Sequence, residues 1–282
     1  MAPRTTPTER QRRLGSELRR LRMAAGMSAE RAAGLLGVDR GRLSNMESGQ
    51  RGISEERLRT LVCNCDCTDE RYVEALVQMA TAGPGWWEPF RGSLPQGMLD
   101  IAELEANSPR MRVWNMVHIP GLLQTSDHAL AVFRLAIPSL PEHEVALRLA
   151  HRTQRQQILL GEAPPQYLAL IHEAALRMRF GTPDVVRGQL AHLIDMSERD
   201  NITVLVIPFE SGGFPSAGQA VLYVEGRVPQ LDTVQVDSSH GPDFLHAESQ
   251  LAKYRAQLDW LQELALTPGP SRAFIREIAN QL

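Results

Sequence analysis

Between Ser28 and Gly49 the chain reads Ser28-Ala29-Glu30-Arg31-Ala32-Ala33-Gly34-Leu35-Leu36-Gly37-Val38-Asp39-Arg40-Gly41-Arg42-Leu43-Ser44-Asn45-Met46-Glu47-Ser48-Gly49, and this spacing leaves few ways to fold. Ser28 can cap a short helix running to about residue 36, with Ala32, Leu35 and Leu36 facing inward. Gly37 supplies the left-handed backbone of a sharp turn, and Ala33 falls where two crossing helices approach most closely, so a side chain larger than a methyl would push them apart. Asp39 caps a second helix whose apolar pair, Leu43 and Met46, leaves Arg40, Gly41, Arg42, Ser44 and Asn45 outward. The pattern is a helix-turn-helix. An ordinary helical hairpin would need the cap, small residue, turn glycine and apolar pair to coincide by accident.

The flanks extend the same helical head. Leu14, Leu18 and Leu21 form the stripe of a first helix, surrounded by Arg12, Arg13, Arg19, Arg20 and Arg22, some of which are expected to meet phosphates. Ser54-Glu55-Glu56 opens a helix that buries Leu58, Leu61 and Val62, and Thr68-Asp69-Glu70 starts another running to about Ala80. With its Glu47-Ser48-Gly49 ending and the Arg51 that follows, this head over residues 1–80 resembles the lambda-repressor and Cro (XRE) class of helix-turn-helix domains. The resemblance implies double-stranded operator DNA as partner. It places Arg40 and Asn45 at positions that reach base edges in the major groove, with Arg42 and Ser44 beside them as base or phosphate contacts. Ser28 and Gly41 belong to the same DNA-binding surface, and Arg51 reads as a phosphate contact. Two departures stand out: Ala29 replaces a glutamine found in many relatives, and Gly41 has no side chain with which to read a base.

Charge separates the chain into two parts. Residues 1–62 hold 13 Arg against 7 Asp or Glu, a net of +6, while the remainder is at −9, so the formal total of −3 hides a basic head on an acidic body. A length of 282 residues with 43% hydrophobic content suits about two domains. The polar, proline-bearing start resembles no targeting segment, and no run of about 18 apolar residues occurs, so a soluble, cytoplasmic, nucleoid-associated protein without membrane contact is expected. Cys63, Cys65 and Cys67 have no fourth cysteine or adjacent histidine to complete a zinc site, and they read as reduced thiols partly packed between helices.

Beyond Ala80 the pattern changes. Gly83-Pro84-Gly85, Trp86-Trp87-Glu88-Pro89-Phe90 and the turn-rich residues 91–97 read as a docking linker over 81–99. Residues 100–282 then read as a mixed α/β effector domain. Strand candidates are 112–117, 167–171, 202–207, 220–224 and 233–236; helices are expected over 126–136, 142–160, 183–199 and 248–265. The stripe from Leu251 to Ala265 reads as core rather than as a dimer seam. Gly85-Trp86-Trp87, Pro120-Gly121-Leu122-Leu123-Gln124-Thr125, His172-Glu173-Ala174-Ala175-Leu176-Arg177, Asn201 to Phe209 and Tyr254-Arg255 resemble the WhiJ-type regulators of filamentous actinobacteria. That family is antitoxin-like and is often encoded beside a small partner protein. His172 stands where the family commonly has aspartate. The resemblance implies a transcriptional regulator whose body takes a small-molecule effector or a small partner protein. Gln124, on the Pro120 to Thr125 turn, and Glu173 are the candidate effector-binding residues, although a strand-to-helix turn and a carboxylate satisfying backbone amides account for them equally well.

Catalysis is not expected. The chain has no Gly-x-Ser-x-Gly elbow, zinc-protease helix or phosphate-binding lysine loop, and its histidines are scattered without metal spacing. No cofactor, metal or catalytic residue is assigned. One short reading helix covers only a few base pairs, so a homodimer on paired half-sites about 34 Å apart is expected.

Overall fold

Helices α1 (Glu9–Ala24), α2 (Ala29–Leu35), α3 (Arg40–Glu47), α4 (Glu55–Asn64) and α5 (Glu70–Thr81) make up the first of two units in the computed structural model. Residues 6–214, 218–238 and 240–282 are described, and the units meet between Glu88 and Pro89. Each helix of this first unit starts on a side-chain cap: Thr8, Ser28, Asp39, Ser54 and Asp69 accept the backbone N–H of Gln11, Arg31, Arg42, Arg57 and Tyr72. Such a cap contributes about 1 kcal/mol. The apolar stripes converge, with Leu18, Leu43, Leu58, Leu61 and Leu76 almost wholly removed from solvent, except that Leu35, expected to face inward, is 39% exposed. Burying each leucine stabilises the unit by roughly 1.5 to 3 kcal/mol.

A polar network joins α1 to α5. The buried Glu17 carboxylate takes Arg20 Nε at 2.8 Å on Oε2, where the Tyr72 hydroxyl also donates, and Arg13 Nη2 at 3.2 Å on Oε1. Burial, with Glu17 accepting its proton, pushes the Tyr72 hydroxyl well above its ordinary value. Arg13 is therefore spent inside the unit and is not among the arginines of this helix left to meet phosphates. Arg22 is likewise engaged with Glu47, whereas Arg19 is exposed and has no ion pair with a described residue.

The second unit is built on a mixed sheet. Its elements are α6 (Gln96–Ala106), β1 (Arg110–Asn115), α7 (Ser126–Arg134), α8 (Glu142–Gln156), β2 (Gln166–His172), α9 (Glu173–Arg177), α10 (Pro183–Met196), β3 (Ile202–Ile207), β4 (Val221–Glu225), β5 (Thr233–Ser238), β6 (Gly241–Leu245), α11 (Glu248–Leu264) and α12 (Pro268–Asn280). The strand order is β3-β2-β1-β4-β5-β6; β1, β2 and β3 are parallel, and β4 to β6 continue as an antiparallel meander. Strands β2 and β3 are buried on both faces over most of their length, which is why they read as apolar runs. Met111, Val113, Ala169, Ile171, Val204 and Val206 look toward one core, shared with α10 and α12. Trp114, Leu170, Leu205 and Tyr223 look toward the other, closed by Leu251, Leu258 and Leu261 of α11. The stripe of that helix is thus core, as its spacing indicates. Elements α6, α9, β6 and α12 lie outside the expected set, and α6 begins within the turn-rich stretch that precedes residue 99.

Candidate nucleic-acid interface

The turn between α2 and α3 has the geometry its residues require. Gly37 adopts φ 61°, and the Ala33 carbonyl accepts the Val38 N–H at 3.0 Å, so the chain reverses in a few residues. Ala32, Ala33, Leu43 and Met46 are buried beneath it. The opposite face of α3 presents Arg40, Gly41, Ser44 and Asn45, all exposed and spaced to share one side of the helix. Ser28 is exposed and occupied as the α2 cap, its Oγ accepting the Arg31 N–H at 3.2 Å. Arg42 differs from the sequence picture in being half-buried, with Nε out of solvent and unpartnered. Arg51 is exposed after α3, and its backbone N–H donates to Asn45 O at 3.0 Å. Arg40 meets Glu30 of α2 at 3.0 Å. That ion pair was not visible in the sequence, where the two residues stand ten apart.

Helix α1 braces α3 from behind. Gly15 lies against the last turn of α3 so closely that an added Cβ would sit 2.6 Å from the carbonyl oxygens of Met46 and Glu47. Arg22 grips the Glu47 carboxylate with Nε at 2.5 Å and Nη2 at 3.0 Å, and its Nη1 donates to Met27 O at 2.8 Å. This bidentate clasp fixes the direction of α3 from its C-terminal end. Cys63 is in the last turn of α4 and exposed, Cys65 and Cys67 follow it half-buried before α5, all three are free, and burial raises the Cys65 thiol. Among the described residues no group of histidine, cysteine or acidic side chains has the arrangement of a metal site.

The second unit separates the two candidate effector residues. Gln124 is buried, donates through Nε2 to Ile119 O at 2.8 Å, and its Oε1 accepts Arg152 Nη1. Glu173 has both oxygens engaged, by Arg177 Nε at 2.6 Å and by the Phe209 N–H at 2.9 Å, which ties the ends of β2 and β3. An open cleft of about 340 Å³ lies at the other end of the parallel strands, where Arg110, Arg112, Gln166, Thr203, Asp259 and Gln262 line it; neither Gln124 nor Glu173 does.

Sequence reasoning passed over Arg152 and His128. The spacing of Arg152, Arg155 and Gln156 puts three polar side chains on one face of α8, a signal that could have marked this face as inward. Burial, and then the charges of His118 and Arg152, hold His128 down at about 4; burial and the two arginines do the same to His151. Because the folded-state values lie below the ~6.5 of an unfolded histidine, stability is complete above about pH 6.5 and falls as pH drops toward about 4. Each pH unit of that interval counts for up to about 1.4 kcal/mol per histidine. Thermal unfolding followed from about pH 7.5 to about pH 4.5 is expected to show this loss, and His128→Leu should remove part of it. An unchanged pH slope in the variant would contradict the assignment to His128.

A family model described as a helix-turn-helix domain matches residues 13–75. A second, described as a domain of unknown function (DUF5753), matches residues 98–277, more than half of the chain. No curated protein and no solved structure matches. No helix among the described residues is long and apolar enough to cross a membrane.

Proposed function

This chain belongs to the DUF5753 family and carries a helix-turn-helix domain, and on that premise we propose that it is a sequence-specific DNA-binding transcriptional regulator of the Cro type. The observation that carries the reading is the exposed face of α3, where Arg40, Ser44 and Asn45 project from a helix buried along Leu43 and Met46 and clasped from behind by Arg22. The protein acts as a homodimer in the cytoplasm, on the nucleoid, because one such helix spans too few base pairs for specificity and a two-fold partner doubles the site. The second unit recognises an effector without turning it over, and its occupancy shifts the DNA-bound population by favouring one arrangement of heads. The likeness to WhiJ-type, antitoxin-like regulators supports a small partner protein as an alternative occupant of this unit.

Selection by the full-length protein from a randomised duplex pool tests the reading. The expected product is a two-fold related sequence with half-site centres about 34 Å apart, bound in the presence of excess random duplex. Its affinity should fall with salt at a log–log slope of about −0.9 for each phosphate neutralised. A pool that emerges without sequence preference would overturn it.

A further inference from the structure

At the carboxyl end of β1 the second unit gathers cationic and unpartnered polar groups that its own carboxylates do not answer. The Arg152 guanidinium lies against Gly121, where an added Cβ would be 3.0 Å from Nη1, and its Cζ stands 5.1 Å from the centre of the Phe133 ring. Its Nη1 donates to Gln124, its Nε is buried without a partner, and no described carboxylate forms an ion pair with it. Arg155, one turn on, takes both oxygens of Glu105 at 2.5 and 2.6 Å, so that carboxylate is already committed. Glu105 and, less strongly, Asp237 at the end of β5 reach Arg152 only through their fields, and Gln235 Nε2 donates to Asp237 Oδ1 at 2.7 Å. His128 is 1% exposed with neither ring nitrogen partnered. Phe180 packs edge-on to His128 and stacks on His118 at 4.9 Å. Asn115, which strand alternation turns to the same sheet face as Met111 and Val113, buries an Oδ1 without a partner.

The guanidinium is not needed to shape the turn it touches. Gln156 already donates to Gly121 O at 3.1 Å and Gln124 O at 2.6 Å, and Gln189 bonds both Leu123 O and the Thr125 N–H. A half-buried cation with no ion pair of its own is costly, and an anion arriving from solution lowers that cost. The place also fits: it lies outside the carboxyl end of β1, which pairs in parallel with β2, and ligands of parallel α/β sheets bind outside the carboxyl ends of their strands. We propose that Arg152, Gln124, His118, His128 and Asn115 form the effector site, and that its ligand is a small molecule whose carboxylate or phosphate group is taken by Arg152. This rests on reading the second unit as an effector domain. Gln124 orients the guanidinium, and the unpartnered nitrogens of His128 and oxygen of Asn115 meet the polar remainder of the ligand.

Titration of the full-length protein with inorganic phosphate or with acetate, against chloride at equal ionic strength, tests the site through the ring signals of His118 and His128 in NMR spectra. Saturable shifts are expected with at least one anion, and which one answers separates the phosphate from the carboxylate source. Arg152→Met should weaken binding about ten-fold or more, the worth of a hydrogen bond to a charged group, while Arg40→Ala leaves it unchanged. If Arg152→Met does not fold, Arg152→Lys, which keeps the charge and loses the planar fork, should weaken binding by a smaller factor. No saturable shift with either anion, or equal affinity in the arginine and substituted proteins, would overturn the site. Operator affinity measured in parallel keeps the two readings apart. Anion binding that leaves operator affinity unchanged supports the site and overturns the effector reading, whereas an operator response to a neutral metabolite without anion binding overturns the site alone.

Discussion

Replacing Arg40 by alanine is expected to lower affinity for the selected operator by about 1 to 3 kcal/mol, roughly five- to 150-fold, while random duplex is bound nearly as before. Arg40 is the first residue of α3, and in the proposed docking this is the end that enters the major groove, where a guanidinium can donate two hydrogen bonds to guanine O6 and N7. Without DNA it pairs with Glu30, but both side chains are more than two-thirds exposed, and such a pair is worth only about 0 to 1 kcal/mol. Exchanging the carboxylate for a base edge is therefore favourable, and Glu30 keeps the guanidinium over the turn until a guanine replaces it. Arg51 supplies the contrast. It is exposed beyond the helix, and Arg51→Ala should weaken operator and random duplex alike and make the salt slope shallower by about one phosphate's worth. Competition binding at two salt concentrations reads both variants; equal losses for the two would remove the distinction between base reading and phosphate contact.

The head was legible because its signals are local. Ser28, Gly37, Asp39 and Ser54 act within a few residues of themselves, and each does in the structure what its side chain permits. The parallel strands were legible for a different reason: burial on both faces leaves continuous apolar runs such as Ile202–Ile207, whose limits were found to the residue. What escaped lacks such contrast. Strand β6 opens on Gly241-Pro242 and is half-exposed along the sheet edge, so neither alternation nor an apolar run marks it. In α12, Pro268, Gly269 and Pro270 read as punctuation, although a proline in the first helical turn costs no hydrogen bond. Helix α6 starts behind Pro95 for the same reason. At the candidate sites the limit is distance in sequence. The outward face of α3 follows from helical periodicity alone, but the half-burial of Arg42, the Glu30 pair and the convergence of Arg152 with His118 and His128 require the chain to be folded first.

The close approach of α1 to α3 yields the largest expected effect on stability. Gly15 and Gly34 are both helical glycines, and in each case alanine gains up to about 1 kcal/mol of helix propensity. At Gly34, which is exposed with nothing within 4 Å of the added Cβ, that gain should appear almost intact as a raised unfolding midpoint. At Gly15 the same methyl meets the carbonyl oxygens of Met46 and Glu47 at 2.6 Å and the Glu47 carbonyl carbon at 2.8 Å. These are backbone atoms at the end of α3, and they cannot step aside as a side chain would. Relief requires α1 to move away from α3, which strains the Arg22–Glu47 clasp and loosens the packing of Leu14 and Leu18. Overpacking of this kind costs about 1 to 3 kcal/mol, and because the clash is with backbone the upper end is expected, so Gly15→Ala should lower the head's midpoint by roughly 5 to 15 °C. Circular dichroism of the full-length protein in a thermal scan, with Gly34→Ala alongside, measures the difference. The displaced α3 should also carry Arg40 out of register, so operator affinity falls even at temperatures where the variant is folded. A Gly15→Ala protein as stable as Gly34→Ala, with undiminished operator binding, would show that the contact between α1 and the end of α3 does not hold the reading helix in place.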